Sequence, residues 1–378
     1  MKELRKIKIL FVSHNLELEG APKSFFILAK GFKKKGFDVD VISLKPGPLK
    51  VKYNESGMNV IKIDSFRDKF LIDVVSKYDA IFVNTISAYS FIKELYFLNK
   101  KIIWIIRESE LYEYKNKFLD LTDDLFDKVF KVVFVSNATR SLYENGKVHD
   151  NFKTIYNGFE IADYEKYKKS HEDVSVNIFL KDKIKKKYGF EIYTRIVSII
   201  GTVCSRKGQL EFCQAIAVLR TMLPEKYFNN LRFLIIGAQD KEIPYVNKIS
   251  EFIEENDLSR NIKLLKETSK IYDYYEMSDI FVCNSYIESF PRVVLEAMAF
   301  SLPIIATKIY GIPEQIRNKK EGLLINAGDV NALAEQMMLV LNDADMARTL
   351  GENANIRLKD DFSNEKTFSS YLKLLEDD

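Results

Sequence analysis

The chain has 378 residues, 47% hydrophobic and 29% charged, a composition typical of a globular protein long enough for two domains. Its formal net charge of +3 is small for this length, so the charge balance predicts no nucleic-acid partner. Cys204, Cys213 and Cys283 show no paired spacing, which indicates reduced thiols in a cytoplasmic protein. We expect neither a signal peptide nor a membrane span, because the first residues are polar and no uncharged run approaches the necessary length.

Strands alternate with helices along the first half. Continuous apolar runs predict buried strands at 8–13, 37–43, 80–84, 101–106 and 131–136. A polar loop through Gly20 and Ala21 precedes a helix predicted over 23–35, which ends at Gly36. Such alternation predicts a parallel, doubly wound sheet that binds ligands at the carboxyl ends of its strands.

A second series of strands is predicted at 195–201, 231–237, 279–284 and 302–307. The fold class is therefore α/β, with two Rossmann-like doubly wound parallel-sheet domains that face each other across a cleft. We expect the first domain at 1–165, a charged interdomain connection at 166–193 and the second domain at 194–360. A C-terminal helix at 361–378 could pack back on the first domain.

The stretch from Glu288 to Glu296 is the most informative part of the sequence. It follows an apolar strand and leads into a helix with Pro291 near its first turn, where a missing N–H costs nothing. The N–H groups from Ser289 to Arg292 are therefore predicted to meet an anion at a sheet edge. Two acidic residues beside a phosphate cradle suit a ligand with both phosphate and hydroxyl groups, such as a nucleotide sugar.

Three further pieces follow strands of the same predicted sheet. They are Gly201 through Gly208 with the cations Arg206 and Lys207, then Gly237, and then a turn at Gly311. Lys207 suits a diphosphate as a point charge, and Arg206 could add a forked contact. Each piece alone is more often a plain turn or cap. Their order at the ends of successive strands is what favours a binding site.

The second half resembles the retaining glycosyltransferases of the GT-B fold, in particular group 1, family 4. The resemblance rests on the Glu288-to-Glu296 spacing and on several flanking segments, and it continues more faintly into the first half. The segments are Lys207-Gly208, Glu296 through Ala299 with Pro303, Gly311 through Glu314, Glu321 through Leu324, Asp329, Gly20-Ala21, Ser136 and Tyr156 through Phe159.

The resemblance implies a role for each matching residue. Glu288 would bind hydroxyls of the donor sugar and Glu296 the ribose, while Lys207 would neutralise the leaving diphosphate. The backbone N–H groups of Ser289, Phe290 and Arg292 would lie near the phosphates. The resemblance also implies no cofactor and no metal, because Lys207 and a helix N-terminus take the place of a divalent cation. The leaving phosphate itself would deprotonate the acceptor.

The sequence departs from the family pattern at two positions. Many members carry Arg where this chain has Thr202, and we expect Arg206 to replace that charge. The family commonly has His where this chain has Arg107, which stays protonated and can bind phosphate or an acidic acceptor. The alternative for Arg107 is a surface arrangement with Glu108 or Glu110.

The acceptor side is predicted at the first domain's edge. Candidates are His14, Gly20, Ala21, Asn84 and Arg107. The basic helix at 23–35 suits an anionic membrane that carries a lipid-linked acceptor, or it packs on its own sheet with its lysines in water. Residues 111–126 form either a mobile flap or a surface helix. The acceptor would be a saccharide, a lipid-linked saccharide or a protein, met in the cytoplasm or at the inner membrane face.

The sequence is compatible with three functions. The first is transfer of a sugar, most simply from a UDP-sugar, in cell-surface polysaccharide synthesis. The second is a non-catalytic GT-B protein that binds an acceptor or stabilises an active glycosyltransferase. The third is another GT-B chemistry, such as sugar-nucleotide epimerisation. The match at Glu288, Glu296 and Lys207 favours the first, while Thr202 and Arg107 keep the second open.

Overall fold

The computed structural model describes residues 7–171, 180–239 and 242–376. The chain divides into two compact units. The first runs to Gly158 and resumes at Asn364, and the second is Phe159–Ser363. Among the described residues, no helix is both long and apolar enough to cross a lipid bilayer.

The first unit is built on a seven-stranded parallel sheet. Its strands are β1 (Lys8–Ser13), β2 (Asp38–Ser43), β3 (Asn59–Lys62), β4 (Ala80–Asn84), β5 (Lys101–Ile106), β6 (Lys131–Phe134) and β7 (Phe152–Thr154). Their spatial order is β3-β2-β1-β4-β5-β6-β7, so the direction of winding reverses between β1 and β4. In a doubly wound sheet the crevice at that reversal is where ligands bind.

Helices cover both faces of this sheet. They are α1 (Gly20–Lys34), α2 (Leu49–Glu55), α3 (Leu71–Val75), α4 (Tyr89–Leu95), α5 (Leu111–Lys117), α6 (Asp124–Asp127) and α7 (Asn137–Glu144). Side chains alternate along each strand, so Phe11 and Phe82 face one apolar cluster while Val12 and Val83 face the other. Because both faces are buried, the central strands are apolar at nearly every position.

Helix α1 packs on its own sheet. This is one of the two alternatives that the sequence left open for the basic helix. Phe25 lies 4.8 Å from Phe11, and Phe32 lies 5.2 Å from Phe82, both measured between ring centroids. Lys23, Lys34 and Lys35 are exposed. Residues 111–126 do not form one helix, since α5 and α6 are separate short segments.

The second unit contains a six-stranded parallel sheet with the same winding. Its strands are β8 (Arg195–Ile200), β9 (Leu231–Ala238), β10 (Ile262–Lys266), β11 (Ile280–Cys283), β12 (Ile304–Thr307) and β13 (Gly322–Ile325). The order β10-β9-β8-β11-β12-β13 places the reversal between β8 and β11. Two Rossmann-like sheets confirm the predicted fold class.

The helices of the second unit complete the doubly wound pattern. They are α8 (Ile161–Lys169), α9 (Leu180–Lys187), α10 (Gln209–Met222), α11 (Glu225–Phe228), α12 (Ile243–Glu255), α13 (Ile271–Met277), α14 (Arg292–Ala299), α15 (Ile312–Gln315), α16 (Val330–Asn342) and α17 (Ala344–Asp361). The last helix, α18 (Asn364–Glu376), belongs to the first unit.

The connection expected at 166–193 lies instead within the second unit, and residues 172–179 of it fall outside the described part of the chain. Asp273, a buried residue of α13, holds helices α8 and α9 to α13 through its carboxylate. That carboxylate accepts hydrogen bonds from Tyr167, Lys187 and Tyr188 at 3.0, 2.6 and 2.9 Å. The charged composition that indicated a linker therefore belongs to ion-paired, packed helices.

Candidate functional site

The predicted nucleotide-sugar residues lie at the winding reversal of the second unit. Lys207 lies in a short 3₁₀ helix, Ser205–Lys207, that follows β8, and Glu288 lies in the loop that follows β11. Since β8 and β11 are neighbours in the sheet, their carboxyl ends open on the same crevice. Thus the fold brings together residues that are 81 positions apart in sequence.

Lys207 and Glu288 form an ion pair in this structure. The ammonium contacts Oε1 of Glu288, and the two side chains are only 16% and 10% exposed. Partial burial strengthens the attraction, because the effective dielectric constant falls away from water. A cation and an acid therefore lie side by side. A ligand with both phosphate and hydroxyl groups could bind the cation through its phosphate and the acid through a hydroxyl.

Two hydroxyl groups fix the loop that carries Glu288. The hydroxyl of Ser285 donates to Oε1 of Glu288 at 3.2 Å. Thr307, the last residue of β12, donates its hydroxyl to the carbonyl oxygen of Ser285 at 2.6 Å. Ser285 and Thr307 are buried, so the acid is connected to the next strand by groups that cannot easily move.

The second acid, Glu296, lies on α14. Its Oε2 accepts a hydrogen bond of 2.8 Å from the hydroxyl of Tyr275 on α13. Burial, together with the nearby Glu296 charge, raises the pKa of Tyr275 well above its ordinary value, so this phenol stays protonated and acts as a donor. Glu288 and Glu296 thus flank the start of α14, with one residue in the loop and the other a turn inside the helix.

Glycine is required at two points of this edge. A Cβ at Gly237 would lie 2.1 Å from the carbonyl oxygen of Gly201, and Gly237 has a φ of +125°. A Cβ at Gly208 would lie 2.1 Å from the carbonyl oxygen of Asn284, whose side chain donates to the Gly208 carbonyl at 3.0 Å. These close approaches keep the ends of β8, β9 and β11 together.

The other predicted donor residues lie around the same edge. Pro291 occupies the N-cap position of α14 and Arg292 is its first residue, with Ser289 and Phe290 in the preceding turn. The N–H of Gly311 approaches the carbonyl oxygen of Glu288 at 3.4 Å. Thr202 accepts a hydrogen bond from Gln209 at 3.1 Å through its carbonyl. Arg206 is exposed. That Arg206 replaces the arginine that other family members carry at the position of Thr202 stays a prediction.

A second polar edge lies at the winding reversal of the first unit. Asn84 ends β4 and Arg107 follows β5. The guanidinium of Arg107 donates to the side-chain oxygens of Asn84 at 2.8 Å and Asn157 at 2.6 Å. Arg107 is half-buried, which differs from the surface arrangement considered as its alternative. The acceptor-side role predicted for Asn84 and Arg107 stays a prediction.

His14 follows β1 at the same edge. Its Nδ1 lies 3.0 Å from the Thr85 hydroxyl and its Nε2 lies 3.0 Å from the side-chain amide nitrogen of Asn15. Because the amide nitrogen can only donate, Nε2 accepts and Nδ1 carries the proton. Burial lowers the pKa of His14, so the ring is neutral at pH 7. Its basic nitrogen is already engaged, which makes His14 a weak general base here.

Gly20 and Ala21 are the first two residues of α1, at the end of the loop that follows β1. Gly20 is exposed and Ala21 is half-buried. Thr85 next to Asn84 has a φ of +72°, uncommon for a residue with a side chain. Its N–H and carbonyl are bonded to Ile105 and to the Trp104 indole, which hold this conformation.

Ser285, Thr307, Tyr275 and Asn157 were not predicted as site residues. Ser285 stands three positions before Glu288, a spacing that could have drawn attention to it. Thr307 and Tyr275 come from other elements, and only the fold shows their contacts. Within residues 7–171, 180–239 and 242–376, no three His, Cys, Asp or Glu side chains cluster closely enough to hold a metal ion.

Comparison with known families accounts for most of the chain. The family described as glycosyl transferases group 1 matches residues 181–357, and the family described as glycosyl-transferase family 4 matches residues 5–157. The chain belongs to the group 1 glycosyltransferases. The predicted nucleotide-sugar residues, from Gly201 to Gly311, fall within the first match, and the polar edge of the first unit falls within the second.

Two curated relatives of this glycosyltransferase illustrate the range of the family. The capsular polysaccharide biosynthesis glycosyltransferase CapM of Staphylococcus aureus is 27% identical over 189 residues, 47% of each chain. The N-acetyl-alpha-D-glucosaminyl L-malate synthase of Bacillus anthracis is 28% identical over 235 residues, 62% of this chain and 55% of the relative. The chain thus spans about half the length of these relatives.

Solved structures support the fold over nearly the full length. The crystal structure of HepE from Anabaena in complex with UDP and glucose matches with a TM-score of 0.84 and 19% identity. The match covers 98% of this chain and 99% of HepE. At this identity the similarity establishes the GT-B fold of two Rossmann-like units and nothing finer.

Proposed function

We propose that this group 1 glycosyltransferase transfers a sugar from a UDP-sugar to a saccharide or lipid-linked saccharide, in polysaccharide or glycolipid synthesis. The observation that carries the proposal is the Lys207–Glu288 pair at the winding reversal of the second unit. A cation for the diphosphate and an acid for sugar hydroxyls meet there, beside the start of a helix. CapM, named for capsular polysaccharide biosynthesis, and HepE, solved with UDP and glucose, support the choice of substrates.

In the proposed mechanism the anomeric configuration of the sugar is retained. As the glycosidic bond to the diphosphate breaks, negative charge grows on the leaving phosphate oxygen, and Lys207 stabilises it. That oxygen takes the proton from the acceptor hydroxyl, which attacks the same face of the sugar. Glu288 holds the donor sugar through its hydroxyls and Glu296 holds the ribose. The protein's own cation supplies the charge stabilisation, so we propose that transfer needs no divalent metal.

Turnover assays with matched variants test the proposal. The purified protein would be incubated with UDP-, GDP- and ADP-sugars and a panel of saccharide acceptors, with and without EDTA, and release of nucleoside diphosphate would be followed. Lys207→Ala and Glu288→Ala should each slow transfer by about 100- to 1,000-fold, the usual effect of losing one electrostatic stabiliser. Arg348→Ala, which removes an ion pair with side chains 67% and 87% exposed, should transfer at the wild-type rate.

The same assay separates the remaining alternatives. Near-wild-type rates for both Lys207→Ala and Glu288→Ala would overturn this edge as the active site. Binding of UDP, seen as a higher melting temperature, without turnover on any acceptor would favour a non-catalytic partner protein. Loss of turnover in EDTA that Mg²⁺ restores would overturn metal independence alone.

We also propose a peripheral contact with the membrane that carries a lipid-linked acceptor. The exposed lysines at the two ends of α1, Lys23, Lys34 and Lys35, support it, since each basic residue near an anionic surface contributes about 1 kcal/mol. The protein should sediment with phosphatidylglycerol vesicles and stay in solution with phosphatidylcholine vesicles. Equal sedimentation with both lipids would contradict an electrostatic contact.

A further inference from the structure

Each acid of the donor edge has one carboxylate oxygen held by a protein hydroxyl. For Glu288 that oxygen is Oε1, bonded to Ser285 at 3.2 Å and also to Lys207. For Glu296 it is Oε2, bonded to Tyr275 at 2.8 Å. In the described part of the chain, the other oxygen of each carboxylate makes no hydrogen bond to the protein.

The hydrogen bond to one oxygen matters because a carboxylate can rotate about its terminal bond. The torsion angle about that bond has only a broad, roughly two-fold preference. A hydroxyl that holds one oxygen restricts this rotation and so limits the positions that the second oxygen can take. The second oxygen can then accept a hydrogen bond from a ligand hydroxyl without first being ordered. Ordering a group before binding is the usual way in which a protein improves affinity or rate without a new contact.

The two hydroxyls are themselves firmly placed. Ser285 is 2% exposed, and Thr307 holds its carbonyl from the adjacent strand at 2.6 Å. Tyr275 is fully buried, and its ring stacks on Phe300 at a centroid distance of 5.5 Å. Neither hydroxyl is exposed enough to serve as a ligand contact of its own. Their action is on the glutamates.

Ser285 has a further consequence for the ion pair. In the free protein, Lys207 and Ser285 share Oε1 of Glu288. A bound diphosphate would compete for Lys207 and draw its ammonium away from the carboxylate. Ser285 carries no charge and does not respond to the phosphates, so it would keep Glu288 in place as Lys207 moves.

We propose that Ser285 and Tyr275 are positioning residues, which direct Glu288 to the donor sugar and Glu296 to the nucleoside. The proposal rests on the proposed function, and it assigns separate effects to the two hydroxyls. Loss of Ser285 should disturb only the sugar end of the donor. Loss of Tyr275 should disturb the nucleoside end, whether or not a sugar is attached.

Two hydroxyl deletions test this assignment, each with a matched control. The variants are Ser285→Ala and Tyr275→Phe. The control for the first is Ser278→Ala, which removes another buried hydroxyl next to the opposite end of β11, bonded to Ser198 at 2.7 Å. The control for the second is Tyr274→Phe, the neighbouring largely buried tyrosine on α13. Calorimetry would give affinities for UDP and UDP-glucose, and steady-state kinetics would give kcat and KM with the best UDP-sugar of the turnover panel.

Ser285→Ala should leave UDP affinity unchanged, while the UDP-glucose affinity and kcat each fall about tenfold, the usual effect of one charge-assisted hydrogen bond. Tyr275→Phe should weaken UDP and UDP-glucose equally, by about tenfold, and raise KM with little change in kcat. Both controls should match the wild-type protein. This split between sugar and nucleoside is one that general destabilisation would not produce.

Wild-type kcat and wild-type UDP-glucose affinity in Ser285→Ala would overturn the role of Ser285. Unchanged UDP affinity in Tyr275→Phe would overturn that of Tyr275. Equal losses in the variants and in their controls would show that the hydroxyls act only through stability. If the wild-type protein neither binds UDP nor turns over any UDP-sugar, the proposed function itself fails. Wild-type turnover with unaffected variants contradicts only the positioning roles.

Discussion

At the residue scale, the Lys207–Glu288 pair means that the free protein has its own counter-charges at the proposed donor edge. A buried ion pair offsets part of the desolvation that each charge would otherwise suffer. A nucleotide-sugar donor that binds as proposed would have to replace that attraction with contacts from its own phosphate and hydroxyl groups. Removal of one partner therefore leaves the other charge partly buried and unpaired. For this reason melting temperatures should be measured alongside rates for Lys207→Ala and Glu288→Ala.

Glu108 should make the first unit less stable as the pH rises. Burial raises the pKa of its carboxyl to about 7, although the N–H groups of Arg107 and Ile86 donate to it. Between the ordinary carboxyl pKa and about 7, the folded protein holds a proton that the unfolded chain has released, so unfolding becomes easier with increasing pH. Glu108→Gln removes this dependence and keeps an acceptor for both N–H groups.

The wild type should therefore lose about 2 to 3 kcal/mol of unfolding free energy between pH 5 and pH 8, and Glu108→Gln should not show this loss. Urea titrations followed by tryptophan fluorescence would measure this, because the single tryptophan, Trp104, is buried in the first unit. Glu113→Gln, at an exposed position of α5, is the control. A wild-type stability that does not change between the two pH values would contradict the raised pKa.

The thiols should differ sharply in reactivity. Burial raises the pKa of Cys213 and of Cys283 to about 12, so both remain protonated and unreactive at neutral pH. Cys204 is half-buried and lies just before the 3₁₀ helix that carries Lys207. Iodoacetamide at pH 8 should label Cys204 alone in the folded protein, and UDP should slow that labelling. Peptide mass spectrometry would show this, and labelling of Cys283 at the rate of Cys204 would contradict it.

At the element scale, the sequence predicted all nine inner strands and neither edge strand of either sheet. The missed strands are β3, β7, β10 and β13, which lie at the two ends of each strand order. An inner strand is covered on both faces and paired on both sides, so its run of apolar residues is long. An edge strand such as β3, Asn-Val-Ile-Lys, is only half-buried and carries too short an apolar run to be recognised.

Because β9 approaches β8 so closely, we expect only glycine to be tolerated at position 237. Gly237→Ala adds a Cβ that meets the Gly201 carbonyl, at a positive φ that alanine disfavours. Gly189→Ala is the matched control, because Gly189 has a φ of +76° with no atom within 4 Å of the added Cβ. The control measures backbone strain alone, expected at about 1 kcal/mol.

Gly237→Ala should lower the free energy of unfolding by at least about 2 kcal/mol more than Gly189→Ala. It should also weaken UDP binding, since it moves the end of β8 beside the proposed donor edge. Far-ultraviolet circular dichroism during urea unfolding would give the stabilities, and calorimetry would give the UDP affinity. Equal costs for the two substitutions would show that the strands can separate without penalty.

The candidate site was predictable in part for the same reason as the strands. Lys207, Glu288 and Glu296 follow or adjoin long apolar runs and match a family spacing, so their sheet edge could be inferred. The positions of Arg107 between Asn84 and Asn157, and of Tyr275 against Glu296, depend on contacts between distant segments. Periodicity and turn residues describe a segment and its neighbours only, so such contacts are not encoded in any local pattern.

At the scale of the whole molecule, the chain leaves the first unit at Gly158 and returns to it at Asn364, so the first unit contains both ends of the described sequence. Helix α18 supplies buried side chains to the apolar cluster on one face of the first sheet. Tyr371 is 3% exposed and lies 6.0 Å from Phe82 between ring centroids, and Phe368 lies 4.9 Å from Phe32. The apolar core on one face of the first sheet therefore includes residues that follow the whole second unit in the sequence.

Truncation of Tyr371 should accordingly destabilise the first unit, although the residue lies in the last helix of the chain. Tyr371→Ala should lower the free energy of unfolding of that unit by about 3 kcal/mol, the usual cost of removing a buried aromatic side chain. The change would appear in the Trp104 fluorescence transition in urea. Lys373→Ala, at an exposed position of the same helix, should leave that transition unchanged.

The second unit offers an internal comparison in the same experiment. Among the residues that the structure describes, its sheet and its apolar cluster around α10 and α16 contain none from α18. Hydrogen exchange in β8 and β11 should therefore stay at the wild-type rate in Tyr371→Ala, while exchange in β1 and β4 accelerates. Equal acceleration in all four strands would mean that the two units unfold as one. An unchanged Trp104 transition would mean that α18 contributes nothing to the first core, in conflict with the burial of Tyr371.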